Sequence, residues 1–98
     1  MTVAVWTITQ PIVGVQQPNV ASDVQNHPIG SRMNAVSAGV EWKFIYGVSG
    51  ATLAADAAAT YAPSTGQITA GTGSAIDGNV LVAVTSGQYV WLKILNET

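Results

Sequence analysis

The stretch Asn79-Val-Leu-Val-Ala-Val-Thr-Ser-Gly-Gln-Tyr-Val-Trp-Leu-Lys-Ile-Leu-Asn-Glu97 holds two apolar alternating runs joined by a Ser86-Gly87-Gln88 turn. Alternation of period two on either side of a glycine-containing turn predicts a β-hairpin. On its second arm Val90, Leu92 and Ile94 share one face, which leaves Tyr89, Trp91, Lys93 and Leu95 on the other. That second face is too apolar to meet water. Either the N-terminal part of the chain covers it, or another subunit does, or Trp91 belongs to the core and Lys93 snorkels past it with its ammonium in solvent.

Upstream the pattern recurs. Asp77-Gly78-Asn79 reads as a tight turn, Gly71-Thr72-Gly73-Ser74 as a flexible loop, and Pro63-Ser64-Thr65-Gly66 as a turn from which Gln67 to Ala70 returns as a short strand. The segment Ala51 to Tyr61 is rich in alanine, yet it has no apolar stripe at helical spacing and is flanked by Gly50, Thr52, Thr60 and Pro63. A turn near Asp56 and a strand over residues 57–62 are expected there instead of a helix. From Val40 the alternation is clean, with Val40, Trp42, Phe44 and Tyr46 on one face and Glu41, Lys43 and Ile45 on the other, as in a half-buried strand. Short strands with turn signals about every eight to twelve residues predict an all-β fold, a small antiparallel β-barrel or sandwich over residues 37–98.

Residues 1–36 read differently. Three of the four prolines, Pro11, Pro18 and Pro28, fall here with Gln10, Gln16, Gln17 and Gln25. Val3, Val5, Thr7 and Thr9 alternate with Ala4, Trp6 and Ile8 in a first strand that ends before Pro11. The segment is expected to be an extended N-terminal arm; the alternative is an edge strand and long loops of one compact domain. Thirty extended residues reach up to roughly 100 Å, enough to lie across a neighbouring subunit.

A chain of 98 residues forms one domain at most and buries only about 60 to 65 per cent of its unfolded surface. With no cysteine, one histidine and five scattered acidic residues, oligomerisation or a partner is the remaining source of added stability. Charged residues make up 8% and hydrophobic ones 48%, so much low-polarity surface has to be covered, the mark of a protein contact. An uncharged coat of Thr, Ser, Asn and Gln accounts for part of the low charge. Arg32, Lys43 and Lys93 are the basic residues and the net charge is −2, which gives no electrostatic footprint for nucleic acid. No apolar run approaches the roughly 18 to 20 residues that span a bilayer, and Met1 to Trp6 lacks the basic region of a signal peptide. Synthesis in a cytoplasm with no membrane association is expected.

Candidate chemistry is sparse. His27 stands beside Pro28, where a rigid catalytic base is not expected, and with Asp23 it supplies too few ligands for zinc. Asp56 and Asp77 sit where turn chemistry already accounts for an aspartate. Gly71-Thr72-Gly73 lacks the third glycine of a dinucleotide site, and no Gly-Lys-Ser/Thr follows for a phosphate loop. No catalytic residue, metal or cofactor is therefore expected, and the chain reads as a non-enzyme. Trp6, Trp42 and Trp91 with Tyr46, Tyr61 and Tyr89 serve as core fillers and interface anchors, a sugar-stacking platform being their other use.

Several segments are similar, in order and spacing, to small tailed-bacteriophage virion proteins, some of them head decoration (cement) proteins. They are His27-Pro28-Ile29-Gly30-Ser31-Arg32 as a lead-in, Glu41-Trp42-Lys43-Phe44-Ile45-Tyr46-Gly47 as a first strand, Leu53 to Tyr61 around a turn, and Val82-Ala83-Val84 with Gly87-Gln88-Tyr89-Val90-Trp91-Leu92-Lys93-Ile94 as the closing hairpin. Ala55 precedes Asp56 where that family usually has glycine, and Val90 replaces a glycine between Tyr89 and Trp91. The resemblance implies a β-rich protein that binds the major capsid protein on the outer surface of the virion and stiffens the shell, as a homotrimer. Trp6, Ile8, Tyr89, Trp91 and Lys93 are the expected protein–protein interface residues. The competing readings are another virion component, in the tail or at a fibre attachment, and a carbohydrate-binding surface module.

Overall fold

In the computed structural model, which describes residues 7–8, 16, 18–71, 73 and 76–97, every regular element is a β-strand. They are β1 (Thr7–Ile8), β2 (Arg32–Ser37), β3 (Val40–Ser49), β4 (Ala58–Ala62), β5 (Gln67–Ala70), β6 (Ile76–Val80) and β7 (Tyr89–Glu97). Five of them close a ring: β3 pairs with β5, β5 with β4, β4 with β6, β6 with β7, and β7 returns to β3. The fold is thus an all-β barrel.

One pairing departs from the antiparallel expectation. β5 runs parallel to β3, through Val48↔Gln67 and Ser49↔Ile68. The chain first passes through residues 50–57 and β4, which takes the antiparallel place beside β5 and so returns β5 in the direction of β3. The first half of that same β3 edge carries β2, from Ser37↔Val40 to Arg32↔Ile45.

Both faces are buried over residues 44–47 of β3 and 90–92 of β7, which explains the nearly continuous apolar reading there. Inside the barrel, Ile45, Tyr61, Ile68, Val80, Val90 and Leu92 pack together. Against the outer face of the β3–β7 pair lies a second cluster of Met33, Ala35, Phe44, Tyr46 and Trp91. The face assignments expected from alternation, Val90/Leu92/Ile94 against Tyr89/Trp91, hold in this two-core arrangement. Which of the two faces is the barrel interior follows from closure of the ring, since alternation along one strand treats two apolar faces alike.

The division expected at residues 36 and 37 falls inside β2, which is paired with β3 over all six of its residues. Its hairpin rests on Ala38 and Gly39, with φ of 52° and 79°; two successive left-handed residues match the twist of the flanking strands. Asp77-Gly78-Asn79 is not a turn but the middle of β6. A Cβ at position 78 would lie 1.8 Å from the Lys93 carbonyl oxygen, so the glycine serves close backbone approach. Beside it the β6–β7 register jumps from Gly78↔Ile94 to Asp77↔Asn96, a bulge that leaves Leu95 unpaired in the ladder.

The closing hairpin is wider than its sequence suggests. β6 ends at Val80, and residues 81–88 leave the ladder, fastened by reciprocal backbone bonds between Leu53 and Val84 of 2.8 and 2.9 Å. Val80 and Val84 still share the barrel core. The expected turn is present at Asp56, where φ is 64°, followed by β4 and β5 close to their expected bounds.

Candidate interaction surface

Trp91 lies opposite Tyr46 across the β3–β7 pair and is fully buried, at 0% exposure. Gln16 and residues 18–29 cover this face. Their backbone joins β7 at one bridge, where Ser22 and Tyr89 exchange N–H···O bonds of 2.9 and 2.7 Å. Of the alternatives open for the apolar outer face, the chain's own N-terminal part is therefore the one observed around Trp91. An outward-facing contact role is closed to this side chain in this conformation.

The cover is pinned by Gln16, itself only 5% exposed. Its carbonyl accepts the Trp91 indole N–H at 2.8 Å, and its amide nitrogen donates to the carbonyls of Val20 at 2.7 Å and Tyr89 at 2.9 Å. Its side-chain oxygen accepts from the Tyr46 hydroxyl at 2.6 Å and from the Asn26 amide at 2.9 Å. Its backbone N–H donates to His27 Nε2 at 3.0 Å. Every polar group of Gln16 is thus satisfied, as burial requires. Burial raises the Tyr46 phenol above its ordinary pKa, against the opposing pull of the Asn26 N–H, which keeps the hydroxyl protonated as a donor.

Aromatic rings complete the packing. The imidazole of His27 meets Tyr46 edge-on at 5.2 Å and Trp91 at 5.3 Å; Tyr46 packs T-shaped on Trp91 at 4.9 Å and lies nearly parallel to Tyr89 at 6.3 Å. The exposed Asp23 carboxylate accepts from Gln88 Nε2 at 3.1 Å, tying the cover to the loop before β7.

At its other end the same outer face opens to solvent. Val40 is 49% exposed and Leu95 57%. Near them on β3 and β7 stand half-buried Trp42 and Lys93, whose ammonium lies 4.5 Å from the Trp42 ring centroid. Lys93 snorkels past the aromatic layer, as one of the alternatives had it, and gains a cation–π contact. Arg32 of β2 and Glu97 of β7 form a two-pronged ion pair, with Nη1 donating to Oε1 at 2.9 Å and Nη2 to Oε2. The hydrogen bond from Arg32 holds the Glu97 carboxyl below its ordinary range and raises the guanidinium correspondingly.

Of the expected interface residues, Tyr89, Trp91 and Lys93 come together on one face, with Tyr89 and Trp91 under the cover and Lys93 at the open end. Ile8 belongs to β1, opposite Ala35, and Trp6 lies outside the described residues. Sequence reasoning missed Gln16 and Asn26, for which a polar loop composition gave no signal. Among the described residues no group of three or more His, Cys, Asp or Glu side chains is placed to hold a metal. Among them, too, no helix is long and apolar enough to cross a membrane. No family model matches the chain, and no curated protein and no solved structure matches it.

Proposed function

We propose that this chain is a capsid decoration protein of a tailed bacteriophage, which binds the major capsid protein on the outer surface of the head and stiffens the shell as a homotrimer. The observation that carries this reading is the open apolar end of the outer face, where Val40 and Leu95 stand exposed beside Trp42 and Lys93. A charge-poor barrel with such a patch suits a subunit whose free energy is completed by docking. The order and spacing of Glu41 to Gly47 and Gly87 to Ile94 support the virion class. In this reading the chain carries out no catalytic step and takes no cofactor.

The test is co-sedimentation of the purified chain with capsids assembled from the major capsid protein encoded beside its gene. Saturable binding in multiples of three copies per site supports the proposal. Failure to bind capsids, with binding to tails instead, moves the chain to the tail or fibre attachment.

A further inference from the structure

The Gln16–His27 hydrogen bond exists only for a neutral imidazole. His27 Nε2 accepts the Gln16 N–H at 3.0 Å, so the ring carries its single proton on Nδ1. A second proton has to enter at Nε2, where it would face the Gln16 N–H donor head-on. We propose that His27 is a pH-operated catch: its protonation releases Gln16 and lifts the covering segment, Gln16 with residues 18–29, from the β3–β7 face, uncovering Trp91, Tyr46 and Tyr89.

The surroundings do not offset the clash. From β3 the imidazole meets Tyr46, whose hydroxyl is committed to Gln16 Oε1 and whose phenol burial keeps neutral. From β7 it meets Trp91, with Tyr89 stacked beyond Tyr46. On its own segment Gln25 Nε2 donates to the His27 carbonyl at 2.9 Å, and the Asp23 carboxylate is engaged by Gln88. The Trp91 ring offers an imidazolium some cation–π attraction. That gain is smaller than the loss of a part-buried hydrogen bond combined with two opposed donors. Gln16 is also the residue on which the cover depends, so one broken bond acts on the whole network.

The opened form takes up a proton that the closed form excludes, so acidification favours opening, by at most about tenfold per pH unit for a single site. Hydrogen exchange followed by NMR reads this directly, at the Gln16 amide and the Trp91 indole N–H, over pH of about 8 to about 5. The amides of Gly50 and Leu53, bonded within the barrel at 2.9 and 2.8 Å, serve as internal controls. Protection factors at Gln16 and Trp91 are expected to fall by up to about tenfold per unit toward the acid end of that range while the controls stay constant. In His27→Gln, whose amide oxygen accepts from Gln16 but does not titrate, the profile is expected to be flat. Constant protection in the wild type, equal loss at Gly50 and Leu53, or an unchanged slope in His27→Gln would each overturn the proposal. Should His27→Gln fail to fold, the contrast between latch and barrel sites in the wild type decides alone.

Discussion

The indole N–H of Trp91 donates to the backbone carbonyl of Gln16 across 75 residues of sequence, in a buried bond of 2.8 Å. The largest fully buried side chain among the described residues is thereby anchored by a polar residue of an irregular segment. The aromatic layer outside the barrel is complete only when that segment is in place.

Gln16→Ala is therefore expected to cost about 2 to 3 kcal/mol, because it leaves the Tyr46 hydroxyl without its acceptor and removes a donor from the Tyr89 carbonyl. Tyr46→Phe is expected to cost about 1 kcal/mol, since Asn26 Nδ2 still satisfies Gln16 Oε1 and the exposed Asn26 can turn the N–H freed from the phenol oxygen to water. Urea unfolding of the two variants checks the order; equal effects would remove Gln16 from its place at the centre of the network.

At Gly78 the obstacle is backbone, which does not swing aside. Gly78→Ala is expected to lose more than about 3 kcal/mol or to prevent folding. Gly50→Ala, where the nearest atom is the Thr69 Cγ2 methyl at 3.1 Å, is expected to cost about 1 kcal/mol or less. Thermal unfolding by circular dichroism separates them.

The strands with strict alternation or clear turn chemistry, such as residues 40–46, 67–70 and 89–94, were legible because each carries its own periodicity. β2 was not, since Arg32 to Ser37 holds only Met33, Ala35 and Val36 as apolar residues and its identity depends on pairing with β3. Gly78 was misread for a related reason: a glycine needed for close approach looks, in one dimension, like a glycine needed for a turn. The open end of the candidate surface was half visible. Lys93 beside Trp91 signalled a second buried layer, but the partner of the ammonium, Trp42, lies on a strand distant in sequence.

For the open end, Leu95→Asp and Val40→Asp are expected to leave stability within about 0.5 kcal/mol of the parent, as exposed positions do. In the proposed role each is expected to weaken capsid co-sedimentation by at least about tenfold, a loss of roughly 1.4 kcal/mol. Lys93→Met removes the cation–π contact at about 1 kcal/mol or less, whereas Trp42→Ala is expected to cost about 2 kcal/mol through lost packing. Wild-type binding by both aspartate variants would exclude this surface.

The Arg32–Glu97 pair gives a separate acid dependence. The folded-state pKa of Glu97 is depressed, first by its hydrogen bond to Arg32, so its contribution is present above the ordinary carboxylate range and is lost as pH falls through the folded value. Both side chains are well exposed, at 49% and 32%, which limits the effect to below about 1 kcal/mol. Glu97→Gln is expected to lower the melting temperature slightly at neutral pH, by a difference that shrinks as pH falls through the depressed Glu97 value. Matching melting temperatures at neutral pH would show that the pair adds nothing.

The ring of five strands sets a timetable for biosynthesis. β7 supplies two of the ring's joints, to β6 and to β3, and also receives Ser22 of the covering segment. While the ribosome is still adding residues before Tyr89, β3 has no neighbour on that edge and the Gln16 segment has no indole to hold. Folding therefore waits for distant pairings and is slow by topology. Until β7 emerges, the nascent chain presents an unpaired strand edge and loose aromatic rings, the period in which a chaperone has most to protect.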